Sequence, residues 1–141
     1  MKRRQFIKST ALAGLAATIT PVKLFSANQR LQIGIIGTGL RGQWNAKLLL
    51  DRPDVDIPAI CDIDQRMIDM VLELFSKAGR PKPKIYDQGP EDYLNMLSNE
   101  DLDAVNIATP WEWNHPMSIE AMKNKMHVGV EAVSYNHLTQ Q

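Results

Sequence analysis

A short apolar run, Ile33-Gly34-Ile35-Ile36, feeds directly into Gly37-Thr38-Gly39-Leu40-Arg41-Gly42. That order constrains the fold more than any other feature of the chain. A nearly continuous run of branched apolar residues reads as a strand buried on both faces of a parallel sheet. Three glycines at this spacing then specify a strand-to-helix turn. Gly37 serves the tight turn, Gly39 lets backbone approach a pyrophosphate, and Gly42 lets the helix pack closely. A helix over residues 43–50, with Trp44, Leu48 and Leu49 at helical spacing, offers phosphates its free N–H groups and partial positive charge.

A glycine triplet alone is weak evidence; it gains weight from an acid at the end of the next strand. Residues 57–61 read as that strand, and Asp62 closes it. A carboxylate there accepts hydrogen bonds from the adenosine ribose hydroxyls and repels the extra phosphate of NADP, which favours NAD. The competing role for Asp62 is to cap the helix beginning near Asp64. The alternation continues with a helix over 64–77, its inward side formed by Met67, Ile68, Val71, Leu72 and Phe75. A turn-rich connector at 79–84, a strand at 84–86, a helix at 90–97 and a buried strand at 103–108 follow. Thr109-Pro110 ends that strand, and a helix at 116–123 leads to a last strand at 127–131. Strands alternating with helices of this length specify parallel βαβ units, hence an α/β Rossmann-type doubly wound sheet.

Composition bounds the partners. The 141 residues leave room for about one domain, and 44% hydrophobic with 23% charged residues is ordinary for a globular protein. The formal charge of zero hides a division. Five basic and no acidic side chains precede residue 28, so eleven Lys and Arg face sixteen Asp and Glu in the body. An acidic body excludes a non-specific nucleic-acid grip. The single Cys61 excludes an internal disulfide and reads as a small buried hydrophobe. No metal-ligand spacing is present, and the seven Met residues read as core filling.

Residues 1–27 read as an export signal. Residues 1–9 are basic, 10–19 are small and apolar, and Ala27 follows Ser26 where the composition turns polar. An apolar run of about ten residues is too short for a bilayer-spanning helix, so no stable membrane anchor is expected. Within it, Arg3-Arg4-Gln5-Phe6-Ile7-Lys8 matches the twin-arginine pattern, which implies export to the periplasm or beyond. An ordinary secretory signal is the alternative.

With these pieces placed, residues 31 to about 132 resemble the N-terminal domain of the Gfo/Idh/MocA oxidoreductases. The glycine turn, the acid after the second strand and Thr109-Pro110 occur in the family's order. Thr109-Pro110-Trp111-Glu112-Trp113, with Pro116-Met117, looks like the branch classed as glycoside hydrolase family 109, the NAD-dependent α-N-acetylgalactosaminidases. Most of the wider family has Glu-Lys-Pro after the fifth strand; here Glu131-Ala132 stands there without the lysine. The resemblance implies cofactor contacts at Leu40, Arg41, Asp62, Trp111, Glu112, Trp113, Asn114, Glu131 and Ala132, beside Gly37, Gly39 and Gly42 of the turn. It also implies glycoside hydrolysis through transient hydride transfer from the sugar's C3 to NAD. The sequence departs from the branch twice. Asn114 stands where His usually follows Trp-Glu-Trp, with His115 one place later. The helix end, usually Gly-Lys-His, is Lys125-Met126-His127, leaving Asn124 to take the left-handed turn.

Each of these residues also has a plainer role. Trp111 and Trp113 could be core aromatics, Glu112 a solvated charge, Arg41 a surface residue rather than a phosphate contact, and His115 a helix N-terminal residue. His127 reads as structural. The domain expected over 28–132 lacks the C-terminal α/β substrate domain that carries the family's catalytic residues, and residues 133–141 leave the family pattern. A sugar or glycoside is the expected partner of the intact parent, with sugar or inositol dehydrogenation as the alternative chemistry and a non-catalytic nucleotide-binding fragment as the third reading. Homo-oligomerisation stays open. Replacing both Arg3 and Arg4 by Lys is expected to stop export, scored by fractionating cells expressing the chain. Undiminished export would assign the general secretory route.

Overall fold

The computed structural model describes residues 30–130, so the leader, Glu131, Ala132 and the tail lie outside the described residues. The elements are β1 (Leu31–Ile36), α1 (Leu40–Leu50), β2 (Val55–Asp56), β3 (Ala59–Cys61) and α2 (Gln65–Lys77). They continue with β4 (Lys84–Tyr86), α3 (Asp92–Asn99), β5 (Ala104–Ile107), α4 (Trp111–Lys123) and β6 (His127–Val130). The sheet is parallel, in the order β4-β3-β1-β5-β6, with β2 added beside the start of β1.

β1 is central because its side chains serve both faces. Strand alternation sends Ile35 and Ile36 opposite ways, and both are buried. Ile35 joins Ile60, Ala46, Leu50, Ile68, Val71 and Phe75 in a cluster beneath α1 and α2. Ile36 joins Val105, Ile107, Met96, Leu97, Met117 and Ala121 in a second cluster beneath α3 and α4. The register sets Ile35 beside Ile60 and Asn106, and Ile36 beside Cys61 and Ile107, bringing the carboxyl ends of three strands to one level.

Several expectations are corrected. The strand expected over 57–61 is shortened to β3 at 59–61, with the separate β2 ahead of it, because Pro58 has no N–H for the ladder; its carbonyl accepts from Lys84 N–H at 2.8 Å. α1 starts at Leu40, not at residue 43, and its buried face is Gly42, Ala46 and Leu50. Trp44 and Leu48 lie on the outer side, 55% and 49% exposed. The helix approaches the sheet through Gly42 and Ala46 at its start, and Leu50 fills the space at its far end. α4 begins at Trp111, so Trp111 to His115 are helical and not a turn, and Pro116 lies inside the helix, where it cannot donate to the carbonyl of Glu112. α2 agrees with expectation, with Ile68, Val71 and Phe75 buried. Met96, Met117 and Met126 fill the core, whereas Met70 and Met122 are exposed.

A cap starts α2 at the carboxyl end of β3, and one arginine closes the amino end of the sheet. Asp64 caps α2 by accepting Arg66 N–H at 3.0 Å. Arg80, just past Gly79, donates to the carbonyls of Leu50 at 3.3 Å, Arg52 at 2.6 Å and Val55 at 2.9 Å, and pairs with Asp56. The end of α1, β2 and the exit of α2 are thus tied by one guanidinium. At the end of α4 the left-handed residue is Lys125 (φ 62°), not Asn124 (φ −80°). Asn124 is the C-cap, its side chain donating to Glu120 O at 2.9 Å. Lys125 therefore occupies the place where the resembled branch has glycine. An L-residue there costs about 1–2 kcal/mol. Lys125→Gly is expected to raise stability by roughly 1 kcal/mol, read as a higher thermal midpoint; an unchanged or lower midpoint would refute the strain.

Candidate functional site

The carboxyl edge of the sheet carries an open cleft of about 240 Å³, lined by residues from four segments. Ile36, Gly37 and Gly39 come from the end of β1, and Cys61, Asp62 and Ile63 from the end of β3. Gly89 and Pro90 follow β4, while Ala108, Thr109, Pro110, Trp113 and Met117 belong to the β5–α4 passage. Its position follows from topology: chain segments leaving β1 and β5 turn to opposite faces, and the gap between them opens a crevice.

The glycine turn is built from backbone. Gly37 adopts φ 90°, and a Cβ there would meet Ala108 O at 2.7 Å. Its N–H donates to Cys61 O at 2.8 Å. A Cβ on Gly42 would stand 2.0 Å from Gly37 O, so the first turn of α1 rests directly on the carbonyl of the bend. Around Gly39 a Cβ would meet nothing within 4 Å, which leaves its backbone open to the cleft. Neither a capping side chain nor an acidic residue occupies the first turn of α1. The helix therefore presents unneutralised positive partial charge and free N–H groups, an arrangement that takes an anion.

Asp62 does not cap α2; Asp64 does. Its Oδ2 accepts both the N–H and, at 2.9 Å, the hydroxyl of fully buried Thr38, and its Oδ1 accepts Asp64 N–H at 2.9 Å. The carboxylate thus bridges the glycine turn and the β3–α2 turn. Beside it, burial first, and then the negative charges of Asp92, Asp62 and Asp87, push the Cys61 thiol up to about 12.

Of the residues singled out from sequence, the structure brings Gly37, Gly39, Asp62 and Trp113 to the cleft wall, with Gly42 supporting it from behind. Leu40, 83% exposed, and Arg41 sit on the outer side of the first turn of α1, the Arg41 guanidinium 5.7 Å from the Trp44 ring centre. Trp111 is 74% exposed and Glu112 is exposed at the start of α4, neither lining the cleft. Asn114 accepts the Thr109 hydroxyl at 3.0 Å. His115 and His127 are exposed away from the lining. Sequence reasoning missed Thr38, Ile63 and the pair Gly89-Pro90. The Gly-Pro step three residues past β4 marks a turn, with Gly89 at φ 139°, but does not show that the turn faces the cleft. Among the described residues no group of three His, Cys, Asp or Glu could hold a metal, and no helix is long and apolar enough to cross a membrane.

A glycine turn opening a helix at the carboxyl edge of a parallel sheet, with an acid closing the adjacent strand, defines a dinucleotide-binding Rossmann domain. Residues 31–132 match the family model described as an oxidoreductase family with an NAD-binding Rossmann fold, and the chain belongs to that family, Gfo/Idh/MocA. Its Rossmann domain is an NAD-binding one.

A glycosyl hydrolase family 109 protein of Parabacteroides distasonis is 40% identical, covering 96% of this chain and 33% of the relative. An alpha-N-acetylgalactosaminidase of Tannerella forsythia is 35% identical, covering 95% and 33%. Among solved structures, myo-inositol 2-dehydrogenase from Lactobacillus plantarum superimposes with a TM-score of 0.60 at 25% identity, covering 72% of this chain and 28% of that one. The scyllo-inositol dehydrogenase of Lactobacillus casei, solved with NAD(H) and scyllo-inositol, shares the fold at 21% identity and a TM-score of 0.60, over 72% and 28% of the two chains. This chain spans about a third of the length of its curated relatives.

A thiol held protonated inside the fold does not react, because the thiolate is the nucleophile. Cys61 is expected to resist a maleimide at pH 8 in the folded chain and to label on denaturation; rapid labelling of folded protein would contradict the buried placement.

Proposed function

We propose that this chain is the NAD-binding part of an exported enzyme that hydrolyses α-N-acetylgalactosaminides by transient hydride transfer. The observation that carries this reading is the likeness to family 109 proteins over nearly the whole chain, one of them named as an alpha-N-acetylgalactosaminidase. Trp111-Glu112-Trp113 and the missing lysine after Glu131 support the same branch. Bound NAD supplies a reversible hydride acceptor for the sugar. The residues present fit such a group: the backbone at Gly39 is open to the cleft, and the uncapped start of α1 suits a pyrophosphate.

In this reading Gly37, Gly39, Leu40, Arg41 and Gly42 form and flank the phosphate cradle, and Asp62 takes the adenosine ribose. Trp113 at the cleft wall, with Asn114 beside it, adds a cofactor contact; the resemblance implies the same for Trp111 and Glu112, which stand outside the cleft, and for Glu131 and Ala132, beyond the described residues. Export by the twin-arginine route rests on Arg3-Arg4-Gln5-Phe6-Ile7-Lys8 and lies outside the described residues. The solved inositol dehydrogenases favour a second reading, net oxidation of a sugar or inositol.

The first measurement tests the ribose contact that both readings share, and the second separates them. Asp62→Ala is expected to weaken NAD binding roughly tenfold to a hundredfold, because a hydrogen bond to a charged group contributes about 1.5–3 kcal/mol. Equal affinity of variant and wild type would remove Asp62 from the site. The full-length parent is expected to release the aglycone from an aryl α-N-acetylgalactosaminide without accumulating NADH. Net NADH production from a free sugar, with no glycoside cleaved, would establish the dehydrogenase instead.

A further inference from the structure

We propose that Thr38 is a positioning residue that determines which oxygen of Asp62 faces the nucleotide ribose, an inference that rests on the ribose contact proposed above. Thr38 stands between two glycines of the turn and is 0% exposed. It directs both of its donors, the backbone N–H and the hydroxyl, at a single atom, Asp62 Oδ2. Asp64 N–H occupies one position on Oδ1. A carboxylate offers about four lone-pair positions. Three are filled by the protein, so the fourth, on Oδ1, is the one left to accept a ribose hydroxyl.

The arrangement does more than aim a side chain. Thr38 belongs to the turn that meets the pyrophosphate, and Asp62 to the strand end that meets the ribose. Their double hydrogen bond therefore holds the two nucleotide subsites in register, alongside the bond from Gly37 N–H to Cys61 O at 2.8 Å. Without the hydroxyl, the carboxylate is held by two backbone donors, Thr38 N–H on Oδ2 and Asp64 N–H on Oδ1, instead of three, and its orientation is less firmly fixed. Two effects follow: weaker binding of NAD, and weaker rejection of a nucleotide carrying an extra phosphate on that ribose.

The test measures NAD and NADP affinities of the full 141-residue chain by calorimetry. Thr38→Val keeps the branched shape and removes the hydroxyl; Thr38→Ala removes it without the branch, should valine disturb the fold. Either is expected to weaken NAD binding roughly threefold to tenfold, the range for one hydrogen bond, and to narrow the preference for NAD over NADP. Thr38→Ser, which retains the hydroxyl, restores both. In the Asp62→Ala background the same changes have no further effect on affinity, because the interaction they remove is already gone. An undiminished loss in that background, or an unaltered NAD preference with only a lowered thermal midpoint, would overturn the assignment and leave Thr38 a structural residue. If Asp62→Ala weakens binding and Thr38→Val does not, the ribose contact stands and the positioning role falls. If Asp62→Ala binds NAD as tightly as the wild type, or the wild type itself shows no NAD-dependent signal, the ribose reading fails and this inference with it.

Discussion

The first turn of α1 rests on the carbonyl of Gly37 at a distance no side chain can share, and the site depends on that contact. A Cβ at residue 42 would come within 2.0 Å of the oxygen. The carbonyl faces the helix because Gly37 takes φ 90°, a conformation with little penalty only for glycine. Two further backbone bonds hold the bend: Gly37 N–H to Cys61 O, and Ala108 N–H to Ile36 O. The ends of β3, β1 and β5 are thereby levelled, and the N-terminus of α1 arrives at the crevice with its N–H groups open. A helix held farther away would still cover the apolar cluster below it. Its dipole would no longer end at the cleft, where charge has its effect within about one turn.

The two ends of the sheet are treated in opposite ways. At the amino end Arg80 satisfies three carbonyls with one side chain, and Arg30 adds a second pair to Asp56. At the outer strand Lys84 and Tyr86 both reach Glu100, holding its carboxyl below the usual range, chiefly through the Lys84 hydrogen bond. The carboxyl end carries uncapped starts of α1 and α4 and a carboxylate held by protein donors on both oxygens. Polar groups are matched where the structure is only structural, and left available where a ligand binds.

Much of this was legible in the chain, for identifiable reasons. Ile33 to Ile36 and the glycine spacing encode β1 and its turn locally, so no distant contact was needed to read them. α2 was legible because Ile68, Val71 and Phe75 keep one face of the helix. α1 is legible as a helix but its buried face is not: of Trp44, Leu48 and Leu49 only Leu49 packs against the cluster, and the closeness of the sheet selects Gly42 and Ala46 for the contact. The start of α4 was misplaced because Pro116 signals a first turn, yet the helix runs through it from Pro110. For the site, Asp62 was found by spacing. Thr38 was hidden, since a hydroxyl inside a glycine motif carries no pattern, and its partner lies 24 residues away. Ile63 and Gly89-Pro90 reach the cleft only through strand order, which adjacent residues do not encode.

Strand order also bears on how the domain can be made. β1 is first in the chain but central in the sheet, and its neighbour β5 pairs with it across a separation such as the 71 residues between Gln32 and Asp103. A chain emerging N-terminus first can assemble β1, α1, β3 and α2 early. The other flank of β1 must wait, unpaired, until β5 has left the ribosome. Ile36, facing the second cluster, stays uncovered through that interval. Long-range parallel pairing of this kind is slow to form and exposes sticky edges while it does. The later-made segments of this domain, β5 and the passage into α4, are thus the ones that complete the crevice, and a nascent chain has no nucleotide pocket until they arrive.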